Sequence, residues 1–383
     1  MPPDRLLLIL RKITAATLFV LMAISASVWL PIRQFPIAPV LNSLPALPDT
    51  VCYLVYASLM LLLGLITFSK QTAKYILVFC LLFWAYSLFD YTRIQVYYLQ
   101  FSLMLAGVGL AEYIKEKKLD DNPEEVLNGF RLFFVFCYIW SGVYKLNGAF
   151  YHSVMPWFLE PITHLLGISD VPDWVGETVA IIELLGGVFL LIPQSRKLGV
   201  AIVVSIHLFI FGCIGPLGHN WNVITWPWNV AMSVIVLLLF WNFTAYAWGK
   251  WHLNISTAFK LFVVVFAGLM PSLYSQGKWD SSFSFNLYSG TSKSGVIFLT
   301  EPEIAQLPAN LQQYILKQPG STGQRYIDLT YWGYGDLKVL PYPEERAFRK
   351  MHRNFSRTFY NKENVGILYM YSHYDVWLES QKK

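Results

Sequence analysis

Four places in this chain set ionisable or hydrogen-bonding side chains inside long apolar runs or at their edges. A charge at the centre of a membrane-spanning helix costs roughly 2.5 to 3.5 kcal/mol, so each such residue needs a partner or a task. The first is Tyr138-Ile-Trp-Ser141-Gly142-Val-Tyr-Lys145-Leu-Asn147, where helical spacing puts Tyr138, Ser141 or Gly142, and Lys145 on one face. A partly desolvated amine in that position is a usable base; a lysine that only snorkels to an interface gives the same pattern. The second is Glu183, in Ile-Ile-Glu-Leu-Leu-Gly186-Gly187, at a depth that matches His207 in the following antiparallel run. The spacing predicts a hydrogen-bonded Glu183–His207 pair, with chemistry or structure alone as its purpose, and glycines that let a neighbouring helix approach closely.

The third place is Asp90-Tyr-Thr-Arg93-Ile-Gln95, which closes one apolar run and opens the next, with Gln95, Tyr98 and Ser102 continuing down one face. It reads either as ligand-contacting groups or as a salt-bridged turn between two helices. The fourth is Gly218-His219-Asn220-Trp221-Asn222, ahead of Trp226-Pro-Trp228-Asn229. An interfacial aromatic belt explains the tryptophans; otherwise His219 and the asparagines cap a cavity. Three of the four places lie toward one side of the membrane. Together they predict an outward-opening cavity with Lys145, Glu183 and His207 as its catalytic centre. Asp90, Arg93, Gln95, Tyr98, Tyr138, His219 and Asn222 are its ligand-binding residues.

The elements that position these groups follow from composition. Of 383 residues, 55% are hydrophobic and 14% charged, against roughly 25% charged in a soluble domain, and the mean hydropathy is +0.43. The net charge of +5 is spread over loops, which argues against nucleic acid as a partner. Cys52, Cys80, Cys137 and Cys213 all fall inside apolar runs without metal-ligand spacing and read as small packing residues. The N-terminal segment has some features of a signal peptide, with Ser25-Ala26-Ser27 near a cleavage site, but its apolar run continues to Leu30 and the topology works with it retained.

A spanning helix needs roughly 17 to 25 apolar residues. The candidates are Ile13–Pro31, Val51–Phe68, Tyr75–Phe89, Gln95–Ala111, Phe130–Tyr144, Trp174–Ile192, Leu198–Gly215, Thr225–Phe243 and Thr257–Met270. The expected class is an α-helical polytopic membrane protein of about nine transmembrane helices. Pro156–Gly167 is too short and interrupted to cross, and reads as an interfacial or re-entrant helix. With a cytoplasmic N-terminus, the inner loops carry Arg5, Arg11, Lys12, Lys70, Lys74, Lys115, Lys117, Lys118, Arg131, Arg196, Lys197, Lys250 and Lys260. The outer side before the last helix carries only Arg33, Arg93 and Lys145. The positive-inside rule therefore sets the orientation and places the tail outside the cytoplasm. That tail, residues 272–383 beyond a helical domain of residues 1–271, reads as a small C-terminal α+β extramembrane domain. Its expected strands are Ser282–Tyr288, Gly295–Leu299, Arg325–Tyr331 and Val365–Tyr371, with a helix opened by Pro343-Glu344-Glu345 and running through Phe355.

The pattern resembles the vitamin K-dependent gamma-carboxylase superfamily, especially its bacterial HTTM-domain members, over residues 5 to 270. SGVYKLN looks like the family's Gly-Val-Lys-Lys-Leu-Asp motif, which puts the family's catalytic-base lysine on Lys145. IELLGGVFLLIPQSRKLGVAIVVSIHLFIFGCIG resembles the pattern that follows, with Glu183 at its acidic position, Ser195-Arg196 at its Ser-Arg and His207 at its histidine. FDYTRIQ resembles the Leu-Asp-x-x-Arg-x-Gln segment of the bacterial relatives. The resemblance implies a lysine that deprotonates a quinol before CO2 is added to glutamate. Tyr98 stands where the carboxylase has a histidine, however, and the tail is far smaller than its lumenal domain. The expectation is therefore a bacterial inner-membrane protein binding a quinol-like or lipidic amphipathic ligand, with Lys145 as base or anion anchor. Two alternatives are a DoxX-like quinone-linked redox subunit and a non-catalytic scaffold whose external domain binds a protein partner.

Overall fold

The structure is a computed structural model that describes residues 1–243, 254–317 and 323–381; Lys250, one of the expected inner cations, lies outside them. Every apolar run read from the sequence is helical. The helices are α1 (Pro3–Ile24), α2 (Asp49–Phe68), α3 (Ala73–Ser87), α4 (Val96–Glu116), α5 (Glu124–Lys145), α6 (Met155–Leu166), α7 (Asp173–Leu191), α8 (Arg196–Ile214), α9 (Thr225–Phe240) and α10 (Ile255–Val263). α10 continues through a wider turn and a tighter one to Gln276.

Among the described residues, six helices are long and apolar enough to cross a membrane: α1, α2, α5, α7, α8 and the continuous segment Ile255–Gln276. α3 and α9 are apolar but have only 15 and 16 residues. α4 has the length, 21 residues, but its Gln100, Ser102, Glu112 and Lys115 dilute its hydropathy. Most of its length is buried against protein, so its polar groups need not face lipid. α6 is the expected short helix; it buries Met155 and Phe158, leaves Leu165 and Leu166 exposed, and ends at left-handed Gly167.

The helices pack in two groups. α1 to α4 neighbour one another, while α5, α7, α8 and α9 form a second cluster with α10 against α5. α1 joins the groups by packing on α9.

Beyond the helices lies a four-stranded antiparallel sheet in the order β2-β3-β1-β4, with β1 Ser294–Leu299, β2 Ile315–Lys317, β3 Arg325–Asp328 and β4 Ile367–Tyr371. α11 (Leu329–Leu337) follows β3, and Asp328 ends that strand because its carboxylate accepts from the backbone of Thr330 and Tyr331, capping the helix. The expected strand over Arg325–Tyr331 is thus cut short. α12 (Glu345–Tyr360) outruns the expected end at Phe355 and lays Phe348 over β1 at Gly295. α13 (His373–Ser380) closes the chain.

The expected strand at Ser282–Tyr288 is absent. A tight turn at Ser282–Ser284 leads into Phe285 and Tyr288 with φ of +58° and +56°. The alternation that suggested a strand is that of Phe283, Phe285 and Leu287; Phe285, Leu287 and Tyr288 line a cavity against the helical bundle.

The small domain is bonded to the helical part at several points. The Asp336 carboxylate accepts from the backbone N–H groups of Gln34 and Phe35 at 2.8 and 2.6 Å. Lys350 donates to the carbonyls of Pro39 and Val40, and Gln95 to that of Leu340. Arg346 reaches the Tyr91 hydroxyl, and within the tail Asp280 accepts from Tyr342 and Arg346. Glu344 accepts from the backbone N–H of Ser281 at 2.8 Å, and burial pushes its carboxyl up from 4.5 to about 6. Between those values the folded state binds more protons than the unfolded one, so this group's contribution to stability falls as pH rises through that window. Replacing it by Glu344→Gln keeps the acceptor oxygen. We expect the variant's thermal midpoint to stay flat where the wild type's declines, and to equal or exceed the wild type's at about pH 7.

Candidate functional site

α5 and α7 meet almost backbone to backbone. A Cβ on Gly142 would lie 2.5 Å from the Leu184 nitrogen, and one on Gly187 would lie 2.9 Å from the Ile139 nitrogen. No larger residue fits at either contact, and the closeness brings the end of α5 against the middle of α7. There the Lys145 ammonium lies 2.9 and 3.1 Å from the two Glu183 carboxylate oxygens and donates to Ser141 Oγ at 2.6 Å. Both charged side chains are under 10% exposed, at 9% and 7%. Each satisfies the other where neither is tolerable alone.

Across the same cavity, His207 of α8 is held by α5 and α9. Asn229 Nδ2 donates to the Thr225 carbonyl at 2.7 Å, which turns its Oδ1 toward His207 Nδ1 at 2.8 Å. This orientation assigns the imidazole proton to Nδ1, so Nε2 accepts from the Tyr138 hydroxyl at 2.8 Å. Trp228 sits edge-on to the imidazole and donates to Gln100. The expected Glu183–His207 hydrogen bond is replaced by two separate units, Lys145–Glu183–Ser141 and Tyr138–His207–Asn229. Both line one cavity of about 70 Å³, closed by Phe150, Phe158, Phe285 and Tyr288.

The remaining sequence candidates divide between a second cavity and the scaffold. Gln95 and Asn222 line a larger cavity beneath the small domain. His219 stacks on Trp157, with ring centroids 4.4 Å apart, and its Nε2 lies 2.5 Å from the Trp157 carbonyl. Asp90, Arg93 and Tyr98 are bonded elsewhere, among α1, α3 and α4. Asp90 pairs with Arg33 and caps Thr92. Arg93 donates to the carbonyls of Val28 and Tyr86 and lies over the Tyr86 ring at 3.6 Å. Tyr98 hydrogen-bonds Ser25 and packs on Trp29. Arg196 donates to the carbonyls of Leu190 and Leu191, satisfying the end of α7.

Sequence reading noted Asn229 beside the belt tryptophans but did not count it among the site residues, although an amide in an apolar helix was a usable signal. Phe285 and Tyr288 carried none, because a distant tail segment supplies them. Among the described residues no group of three His, Cys, Asp or Glu side chains is placed to hold a metal ion.

Cutting one partner from a buried ion pair strands the other charge, so Glu183→Ala should cost about 3 to 5 kcal/mol in denaturant unfolding, while Lys145→Met with Glu183→Leu should recover most of that loss. Gly142→Val should cost about 1 to 3 kcal/mol by forcing α5 from α7, read as a lowered thermal midpoint. No family model, no curated protein and no solved structure matches this chain.

Proposed function

We propose that this chain is an integral membrane protein of the HTTM type, with about nine spanning helices and a cytoplasmic N-terminus. The short α3 and α9 and the protein-buried α4 complete the count, and the small domain lies on the outer face of a bacterial inner membrane. Its site binds a quinol-like amphipathic molecule and removes a proton from the ligand's hydroxyl, with Lys145 as the base. The observation that supports this reading is the convergence of Lys145, Glu183, His207 and Tyr138 on one cavity inside an apolar bundle. Costly polar groups gathered in this way mark functional sites more often than packing accidents.

The ion pair sets the order of events. Lys145 first passes a proton across 2.9 Å to Glu183, leaving a neutral amine beside a neutral acid. The amine then takes the ligand's hydroxyl proton, and the resulting oxyanion rests against the re-formed ammonium. His207 and Tyr138 fix the far wall and donate or accept as the ligand oxygen requires. The present space is only about 70 Å³, so a ring enters by displacing Phe285 and Tyr288.

Mass spectrometry of small molecules retained after gentle detergent extraction tests the reading. A quinol-like compound should accompany the wild type and be lost, with any turnover, from Lys145→Ala. Unchanged binding and activity in that variant would remove the base from the account. A bound quinone with quinol oxidation would instead favour a redox accessory subunit. An empty site with a stoichiometric protein partner would favour a scaffold.

A further inference from the structure

A second cavity of about 490 Å³ lies between the small domain and the helices. Gln95 and Tyr97 at the start of α4, Trp157 of α6 and the Trp221–Asn222 loop form one wall, and the serine-rich segment from Ser281 to Ser294 forms the other. It abuts the Lys145 cavity through Val96, Leu287 and Tyr288, which line both.

Two atoms in its lining residues lack hydrogen-bond partners. Tyr97 Oη and Asn222 Oδ1 are buried and unpaired, on residues each only 2% exposed. The Asn222 amide is already fixed, because its Nδ2 donates to the Tyr288 hydroxyl at 2.7 Å. Both ends of that bond sit on left-handed backbone, Asn222 at φ +49° and Tyr288 at φ +56°. Such geometry is rare for a tyrosine and tends to mark ligand clamps. Buried polar atoms are almost always paired, so an unpaired donor and an unpaired acceptor on residues that line one cavity point to a ligand that supplies both.

The lining also indicates the ligand's charge. None of the described lining residues is a carboxylate, so a cation finds no counter-ion. The Lys293 ammonium is committed to Asp375 at 2.7 Å, and the free Asn222 oxygen repels an anion. What remains are hydroxyls, amides, the His373 imidazole, whose pKa burial lowers and which is therefore kept neutral, and the rings of Trp157, Trp221, Tyr97 and Tyr288, a combination that suits a neutral ring carrying hydroxyl groups.

We propose that this outer cavity binds an uncharged, hydroxyl-bearing ring the size of a single sugar, with Tyr97 Oη donating to one ligand oxygen and Asn222 Oδ1 accepting from a ligand hydroxyl. Because Tyr288 lines both chambers and is held by Asn222, occupancy here also braces the wall over Lys145. This second site does not require Lys145 to act as a base.

Calorimetric titration of the full chain in lipid nanodiscs, net of empty nanodiscs, tests it. The probes share a tail and differ in head group: octyl β-glucoside, octyl sulfate and octyltrimethylammonium, with methyl β-glucoside as the tail-less control. The glucoside should bind in preference to both charged probes. Tyr97→Phe, which removes no hydrogen bond of the fold, should weaken it about tenfold at an unchanged melting temperature. Equal Tyr97-dependent binding of methyl β-glucoside would identify a soluble sugar as the source, and a requirement for the tail would identify a glycolipid head; either supports the site. No glucoside binding, equal binding of a charged probe, or wild-type affinity in Tyr97→Phe would overturn it. None of these readouts involves Lys145, so failure here leaves the proton-transfer reading standing, and its failure leaves this one.

Discussion

The buried ion pair between Lys145 and Glu183 constrains how α5 and α7 meet. Each charge alone inside an apolar bundle would cost several kcal/mol, and only short distances with satisfied remaining hydrogens offset that cost. Distances of 2.9 and 3.1 Å, with Ser141 taking a third ammonium hydrogen, meet this condition. Those distances exist because Gly142 and Gly187 remove the side chains that would hold α5 and α7 apart. The pairing of α5 with α7, and through α7 with α8, follows from the same need.

The neutral unit opposite is built on a different principle. Asn229 is oriented by a backbone carbonyl, His207 by Asn229, and Tyr138 by His207. No charge is buried, so no counter-ion is needed, and the unit is held by geometry alone. Two polar assemblies, one ionic and one neutral, thus face each other across a space too small for a ring. The ion pair and the hydrogen-bonded phenol line the same cavity without being bonded into one network.

The small domain completes this space. Asn147, just past the end of α5, donates to the Ser289 carbonyl, and Phe285 and Tyr288 form part of the cavity wall. The tail is anchored through Asp336, Lys350 and Gln95 to the loop after α1 and the start of α4. Its segment over the cavity therefore hangs between fixed points. Strained backbone at Phe285 and Tyr288 is tolerated there because packing on both sides determines it.

Hydropathy located the apolar helices, since apolar runs of that length have no other stable form, and it separated the tail from the helical part, but it gave no sign of the tail helices Leu329–Leu337 and His373–Ser380. Spacing also picked out Lys145, Glu183 and His207, because polar groups stand out against an apolar background. It was less able to say which of them pair. Glu183 and His207 lie at matching depth, yet depth fixes only one coordinate. The rotation of α7 about its axis, set by Gly187 against Ile139, turns Glu183 toward Lys145 instead. Asp90, Arg93 and Tyr98 have the same polar-in-apolar signature as the site residues, but they belong to the other helix group and are satisfied within it: Asp90 by Arg33 and Thr92, Arg93 by carbonyls and Tyr98 by the Ser25 hydroxyl. The strand expected at Ser282–Tyr288 shows the same limit. Apolar residues alternate there, yet burial does not: Ser284, Phe285 and Asn286 are buried in succession, because what the rest of the chain brings alongside decides how a segment is covered. Local chemistry thus determined which apolar segments are helices and which residues are costly; three-dimensional packing decided their partners, because pairing depends on helix rotation and long-range contacts that have no period in the sequence.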